Sequence, residues 1–152
     1  MSSEPESGLR VVLDTNVLVS IFTHPHRPIF RIWQAARQGR YRLLVSPAII
    51  TEVAEVLRTI FAWEEARIVR RLKALVRVGD MMIPHITLEV IREDLSDNRI
   101  LECAVEGQAN LIVSGDRHLR RLRTYQGISI VRSIDFMWTL GLIDAHGGPA
   151  ER

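Results

Sequence analysis

Short apolar runs alternate with longer amphipathic stretches along this chain, and most apolar runs end at a polar or turn-forming residue. Runs rich in β-branched and aliphatic residues indicate buried strands, whereas apolar residues spaced three or four apart indicate helices. The pattern predicts strands at residues 9–13, 41–45, 81–86, 111–113 and 128–131. It predicts helices at 17–22, 29–38, 47–58, 63–78 and 98–106, a short basic helical turn after 116, and a final helix from 133.

Polar residues and prolines mark several element boundaries. Ser46 followed by Pro47 is typical of a helix start, with a capping hydroxyl and a proline at the first helical position. Asp97 and Ser133 stand at the N-cap positions predicted for two later helices, and Asp94 is an alternative that could cap the first of these helices or line the same loop. Pro84 lacks a backbone N–H, so the strand predicted around it is expected at an edge of the sheet.

The alternation of strands and helices predicts an α/β fold with a mostly parallel sheet. A chain of 152 residues is long enough to bury one sizeable core. We therefore predict a single domain over residues 9–142, preceded by a disordered lead-in at 1–8 and followed by a flexible tail at 143–152. Internal repeats and interdomain linkers are not evident in the sequence.

Composition excludes some classes of protein. Hydrophobic residues make up 47% and charged residues 25%, which is ordinary for a globular domain. No apolar stretch approaches the roughly 20 residues of a membrane-spanning helix, and the first residues do not resemble a signal peptide. The single cysteine, Cys103, excludes an intrachain disulfide. We expect a cytoplasmic protein with no membrane partner.

The basic residues are almost all arginine, and the net charge is only +2. Arginine makes forked contacts with phosphate groups, so clusters of it are candidates for nucleic-acid contact as well as for solvated helix faces. Two clusters stand out along the chain: Arg67, Arg70, Arg71, Lys73 and Arg77, then Arg117, Arg120, Arg121 and Arg123.

Four acids have related positions in the predicted fold. Asp14 and Asp116 follow buried strands, and Glu52 and Asp97 lie near the starts of helices. Strand tips and the helix starts that follow them share one edge of an α/β sheet. Each acid also has a simpler explanation, since aspartate caps helices and glutamate is favoured early in them. Together they would crowd like charges unless a cation neutralised them, and an all-carboxylate cluster suits Mg²⁺ or Mn²⁺.

Four motifs in order along the chain resemble the PIN-domain ribonucleases and, within them, the VapC-like toxins of bacterial type II toxin–antitoxin pairs. The resemblance spans residues 11–140. It rests on V-L-D-T-N-V-L at 12–18, S-P at 46–47 with Glu52 in the following helix, D-L-S-D-N-R-I-L-E-C-A at 94–104, and L-I-V-S-G-D-R-H-L at 111–119.

The resemblance implies a three-layer α/β/α sandwich with a central, mostly parallel sheet, and divalent-metal-dependent hydrolysis of RNA phosphodiester bonds. Asp14, Glu52, Asp97 and Asp116 match the family's catalytic acids. Three of these, Asp14, Asp97 and Asp116, are expected to hold one or two Mg²⁺ or Mn²⁺ ions, with Glu52 bound directly or through water.

The resemblance also assigns supporting roles. Asn16 and Ser114 match polar positions that orient the acids or the water, and Asp94 lies beside the third motif. His118 departs from the pattern, because many relatives carry a further acid at that position. Asp94 compensates only in part, from the other side of the site.

Partners follow from the same resemblance. Arg117, Arg120 and Arg121 are candidates to hold the RNA backbone. An antitoxin protein is expected to cover the acids or the apolar surface beside them. Family members commonly form homodimers, and Trp63 and Trp138 were the exposed aromatic residues expected at such a contact.

Three alternatives remain at the level of sequence. A response-regulator phosphoacceptor domain also places an aspartate at a strand tip, but it usually needs a lysine at a late strand tip, and Lys73 lies in a mid-chain helix. A haloacid-dehalogenase-like phosphatase needs a second aspartate two residues after the first, where this chain has Asn16. The third is a non-catalytic RNA- or protein-binding module with the same fold.

Overall fold

The computed structural model describes residues 8–144, and residues 1–7 and 145–152 lie outside it. Most of the predicted lead-in and tail falls on those outer residues. Within the described range, six strands are β1 (Arg10–Leu13), β2 (Arg42–Val45), β3 (Asp80–Met81), β4 (Leu111–Val113), β5 (Thr124–Tyr125) and β6 (Ile128–Val131). Seven helices are α1 (Thr15–Thr23), α2 (Phe30–Arg37), α3 (Pro47–Thr59), α4 (Glu65–Val78), α5 (Leu95–Glu106), α6 (Arg117–Leu122) and α7 (Ser133–Thr139).

The strands form one sheet in the order β3-β2-β1-β4-β6-β5. All neighbouring strands are parallel except β5 and β6. The predicted class, a mixed α/β fold with a mostly parallel central sheet, is confirmed. The chain builds β2 and β3 on one side of β1 and then returns to place β4 on the other. Ligands of open α/β sheets bind at such a reversal, outside the carboxyl ends of the strands.

The core is built on β1. Its residues Val11, Val12 and Leu13 are almost completely buried, and Val12 lies in register between Leu44 of β2 and Ile112 of β4. A strand buried on both sides and both faces reads as a continuous apolar run, which is why the sequence identified it. The tip of β1 is therefore held rigidly at the centre of the sheet.

Trp63 was predicted to be exposed, and this is wrong. Its side chain is buried, and the Arg67 guanidinium lies 3.6 Å from the centre of its ring. Arg71 similarly lies 5.3 Å from the ring of Phe22. Cations stack favourably on aromatic faces, so these two members of the α4 basic cluster are used in packing. Trp138 is exposed, as expected.

Two predicted helix caps are also wrong. The N-cap of α5 is Asp94, whose side chain accepts from the Ser96 N–H at 3.0 Å and the Ser96 hydroxyl at 2.6 Å. Asp97 instead lies in the first turn of the helix. The last helix starts at Ser133 itself, with Arg132 at the cap. The Ser46 cap of α3 is confirmed, since its side chain accepts from the Ile49 N–H.

The strand predicted at 81–86 is much shorter in the structure. β3 contains only Asp80–Met81, although it does lie at the sheet edge as Pro84 suggested. The chain leaves the sheet because backbone N–H groups after β3 donate to side chains on α5 and not to a neighbouring strand. The N–H of His85 donates to Glu106 at 3.1 Å, and that of Leu88 donates to Glu102 at 2.7 Å.

The segment 85–91, which we call the α5-bound segment, therefore runs along α5. Its last residue, Ile91, is held at both backbone groups: its N–H donates to Asn98 Oδ1 at 2.9 Å, and its C=O accepts from Asn98 Nδ2 at 2.7 Å. Asn98 is fully buried. Because Asn98 follows Asp97 directly, this pairing also fixes the turn of helix that carries the predicted acid.

Close packing anchors the other end of α5. A Cβ atom on Gly107, which follows the helix, would lie 2.5 Å from Leu44 Cδ1. Because glycine has no Cβ, the helix end lies directly against the Leu44 side chain of β2, and a larger residue would require that side chain to shift.

Strand β5 was not predicted. It forms a two-residue hairpin with β6, in which Gln126 and Gly127 both have positive φ, at 49° and 79°. This is the conformation that tight hairpins favour. Glutamine is an uncommon residue there, so the sequence carried a weak turn signal.

No helix within residues 8–144 has both the length and the apolar character needed to span a membrane.

Replacing Asn98 with alanine is expected to destabilise the fold by about 2–3 kcal/mol, because it leaves both backbone groups of the buried Ile91 without their partner. The midpoint temperature of thermal unfolding should decrease by about 5–10 °C. Gln34→Ala, at an exposed position of α2, is the control and should change stability by less than about 0.5 kcal/mol. Equal unfolding temperatures for Asn98→Ala and the wild type would contradict the anchoring role.

Candidate active site

Two of the predicted site residues, Asp14 and Ser114, follow the carboxyl ends of the neighbouring strands β1 and β4. The Asp14 N–H donates to the Val113 carbonyl at 2.9 Å, which continues the β1–β4 pairing past the last strand residue. Ser114 continues β4 in the same way, with its N–H bonded to the Val131 carbonyl at 2.9 Å. Asp14 is only 4% exposed. It thus lies at the reversal of strand order, where an α/β sheet presents its ligands.

Ser114 joins two of the acids. Its hydroxyl donates to Asp14 Oδ2 at 2.6 Å, and its oxygen accepts from the Asp116 N–H at 2.9 Å. A fully buried serine with both roles filled fixes the carboxylate of Asp14 relative to the backbone of Asp116.

Asp116 is held by the helix that it begins. Its Oδ1 atom accepts from the His118 N–H at 2.8 Å and from the Leu119 N–H at 3.2 Å, which makes it the N-cap of α6. The simple explanation for an aspartate at this position is therefore correct, and it does not exclude a second role for the other carboxylate oxygen.

Asp97 reaches the same place from α5. It is 5% exposed, and its Oδ2 atom has no hydrogen-bond partner within residues 8–144. Asp94 already caps the helix, so Asp97 is not needed for capping. A buried carboxylate oxygen without a partner is costly, which indicates a ligand that completes the site.

His118 completes a compact group with Asp97 and Asp116. Its Nδ1 atom lies 3.7 Å from Asp116 Oδ1 and 4.0 Å from Asp97 Oδ2. One ligand atom from each of the three residues lies within 4.8 Å of the others. The sequence showed His118 only as a departure from a family pattern.

Glu52 and Asn16 lie on the helices beside this group. Glu52 is half-buried in α3, and its charge acts on Asp14. Glu55, three residues further along α3, is exposed and paired with Arg58 at 3.4 Å. Asn16, the second residue of α1, is exposed.

The acids perturb one another. Burial raises the pKa of Asp14 to about 6, against the lowering effect of the Ser114 hydrogen bond, and the charges of Asp116 and Glu52 add to the increase. Burial also raises the pKa of Asp97 far above its ordinary value, and the charges of Asp116 and Asp94 add to it. Acidic side chains are therefore crowded at this edge of the sheet, and their ionised forms are disfavoured there. The donor set and the unpartnered Asp97 oxygen fit a divalent cation, which would relieve the repulsion.

Basic side chains border the group on one side. A surface groove of about 470 Å³ is lined by Arg117, Arg121, Glu93 and His118. Arg121 also forms an exposed ion pair with Glu93 at 3.4 Å. Arg120 is exposed on the same helix but does not line the groove.

Sequence reasoning missed one set of residues that position the site. Asn98, Glu102 and Glu106 all bind the backbone of the α5-bound segment and so fix α5 beneath it. Their spacing of four residues along one helix face is a signal that the sequence does contain.

The crowding predicts an inverse dependence of stability on pH in EDTA. Between pH 4 and about 6 the unfolded chain releases the Asp14 proton while the folded chain retains it, so folding stability falls as the pH rises through this window. Because the pKa of Asp97 is also raised, folding stability continues to decrease at higher pH. Asp14→Asn removes its share, so this variant should gain stability relative to the wild type between pH 4 and pH 7, by at most about 3 kcal/mol.

Urea unfolding at several pH values in EDTA measures this difference. Asp135→Asn is the control, because Asp135 is exposed and paired with Arg132 at 3.0 Å. Its difference from the wild type should stay constant above pH 4. A constant difference for Asp14→Asn as well would show that the pKa of Asp14 is not raised in the folded chain.

Comparison with known proteins places this geometry in a family. The sequence pattern of the PIN domain matches residues 10–118. A relative, the uncharacterized protein MJ1680 of Methanocaldococcus jannaschii, is 29% identical over 120 residues, which is 76% of either chain.

Two solved structures share the fold. One is VapBC2 from Rickettsia felis bound to a DNA fragment from their promoter, with a TM-score of 0.54 and 14% identity over 82% of this chain and 98% of that one. The other is PAE2754 from Pyrobaculum aerophilum, with a TM-score of 0.58 and 17% identity over 92% of this chain and 98% of that one. The family match covers more than half of the chain and confirms the family indicated by the four motifs: this protein belongs to the PIN domain family.

Proposed function

We propose that this protein is a divalent-metal-dependent endoribonuclease that hydrolyses RNA phosphodiester bonds in the cytoplasm. PIN domains are typically nucleases. The observation that carries the proposal is the convergence of Asp14, Asp97 and Asp116 at the reversal of strand order, with a buried oxygen of Asp97 left without a partner. Such a cluster serves little purpose in stability and is suited to a cation and a phosphate.

Asp97 and Asp116 would hold the cation, together with Asp14 and with Glu52 directly or through water. When bound, a divalent ion neutralises these carboxylates, activates water and stabilises charge on the phosphate. Ser114 keeps Asp14 Oδ2 in place with its 2.6 Å hydrogen bond, so the other oxygen of Asp14 is left for the reacting groups. Arg117 and Arg121, in the adjoining groove, would bind phosphates of the RNA on either side of the cleaved bond.

We further propose that the protein is the toxin of a toxin–antitoxin pair of the VapBC kind and that it acts as a homodimer. The fold that it shares with the Rickettsia complex supports this role. The exposed Trp138 remains a candidate dimer contact, whereas the buried Trp63 is not. The exposed side chains of Val69 and Val76 on α4 offer an apolar surface that an antitoxin could cover.

Cleavage of a labelled single-stranded RNA in Mg²⁺, Mn²⁺ or EDTA tests the nuclease. Asp14→Asn and Asp116→Asn should each lower the cleavage rate by a factor of about 100 or more, since each removes a charge that the reaction needs. EDTA should abolish cleavage by the wild type.

Glu52 and Glu55 provide a matched pair of variants on one helix. Glu52→Gln should lower the rate at least about tenfold, whereas Glu55→Gln, three residues away and exposed, should stay within about twofold of the wild type. Cleavage that survives EDTA or both aspartate substitutions would contradict the proposal. RNA binding without cleavage under all conditions would instead favour a non-catalytic binding module.

Arg117 and Arg121, which line the groove, are expected to contribute to RNA binding. In an Asp14→Asn background, which prevents cleavage, the double substitution Arg117→Ala/Arg121→Ala should weaken RNA binding and reduce the dependence of log K on log salt by about 1.4, as expected for two lost phosphate contacts to a single strand. Fluorescence anisotropy at several salt concentrations measures both quantities.

The control is the double substitution Arg70→Ala/Lys73→Ala, which removes the same charge from the exposed face of α4. It should leave the salt dependence nearly unchanged. The same loss of slope in both double variants would mean that the basic charge acts through the field of the whole protein and not through the groove.

A further inference from the structure

His118 occupies the position at which the family resemblance predicts an acid, and its surroundings give it a specific role. It is the second residue of α6, and its backbone N–H is fixed by the Asp116 carboxylate at 2.8 Å. Its ring nitrogen Nδ1 is buried and has no hydrogen-bond partner within the described residues. The Asp97 Oδ2 atom, which lies 4.0 Å away, is buried and unpartnered in the same way.

Two such atoms side by side are unusual. A direct hydrogen bond joins atoms at about 2.7–3.2 Å, so neither the 4.0 Å distance to Asp97 nor the 3.7 Å distance to Asp116 is one. A buried polar atom without a hydrogen-bond partner lowers the stability of the folded protein. A group bound between the atoms would satisfy both at once.

The distances fit an ion shared by the three side chains. Ligand nitrogen and oxygen atoms lie about 2.1 Å from a first-row divalent ion, so two of them are roughly 3.0–3.6 Å apart when their angle at the ion is about 90–120°. The observed 4.0 Å between His118 Nδ1 and Asp97 Oδ2 exceeds this range by only a few tenths of an ångström, and one ligand atom from each of the three residues lies within 4.8 Å of the others. Asp97 is only 5% exposed, so one side of this site is buried.

We propose that His118 is a nitrogen ligand of the divalent ion held by Asp97 and Asp116, and that it makes the site favour Mn²⁺ over Mg²⁺. This inference deepens the proposed function, on which it rests. Mg²⁺ binds oxygen ligands and gives up its water reluctantly, whereas imidazole suits the first-row transition metals. The all-oxygen site expected from the four acids alone would not make this distinction.

Electron spin-echo spectroscopy of the Mn²⁺-loaded protein, without RNA, tests the ligand directly. A coordinated imidazole gives a ¹⁴N modulation of the Mn²⁺ signal, which is expected in the wild type and absent in His118→Asp and His118→Ala. His26→Gln is the matched control, because His26 is an exposed histidine in the loop between α1 and α2, and the modulation should persist in it.

Calorimetric titration with Mg²⁺ and Mn²⁺ at one fixed pH measures the preference. His118→Asp restores an all-oxygen site, so the ratio of Mn²⁺ to Mg²⁺ affinity should fall at least tenfold. His118→Ala should weaken Mn²⁺ binding by a factor of ten or more and Mg²⁺ binding by less. Circular dichroism in EDTA verifies that each variant is folded, and if His118→Ala is not, His118→Asp alone decides the question.

The inference is overturned if Mn²⁺ binds without a ¹⁴N modulation, if the modulation survives in His118→Asp, or if the affinity ratio is unchanged. Mn²⁺ binding through His118 in a protein that cleaves no RNA would leave this inference standing while the proposed nuclease failed. A wild type that binds neither ion would remove both.

Discussion

The confinement of buried carboxylates at one edge of the sheet is the constraint on which the site depends. Asp14, Asp97 and Asp116 come from three separate segments, and each is held by interactions that the backbone needs anyway: strand pairing, the first turn of α5, and the cap of α6. None of the three is free to move away from the others. The raised pKa of Asp14 and Asp97 is the physical record of that confinement. A fold that retains such strain usually does so for the chemistry it permits.

Helix α5 transmits this constraint, and its position does not depend on apolar packing alone. Glu106, Glu102 and Asn98 bind successive backbone groups of the α5-bound segment, so the segment and the helix are fixed together. At its far end, Gly107 lets the helix approach β2 closely. Asp97 therefore sits on a helix that is anchored along its length. Asn98, the residue after Asp97, is the anchor that holds the first turn of the helix.

The sequence allowed the central sheet and the acids at its tips to be predicted, because buried parallel strands read as apolar runs and the residue after each run lies at the tip. It did not allow the caps to be assigned, since Asp94, Ser96 and Asp97 all have cap-forming side chains and only the three-dimensional path decides among them. The third strand was overestimated for a related reason: acceptors on α5 compete with the sheet for the N–H groups of His85 and Leu88. Distant side chains of this kind are invisible to local patterns.

His118 places an imidazole, and not a further carboxylate, beside Asp97 and Asp116. The helix cap by Asp116 fixes the backbone of residue 118, whatever its side chain, so an acid or an imidazole there reaches the same place. An acid there would add a further negative charge to a cluster that already opposes ionisation. The imidazole of His118 adds a nitrogen atom in place of another carboxylate. Residue 118 therefore decides whether the group beside Asp97 and Asp116 contains only carboxylates or also a nitrogen donor.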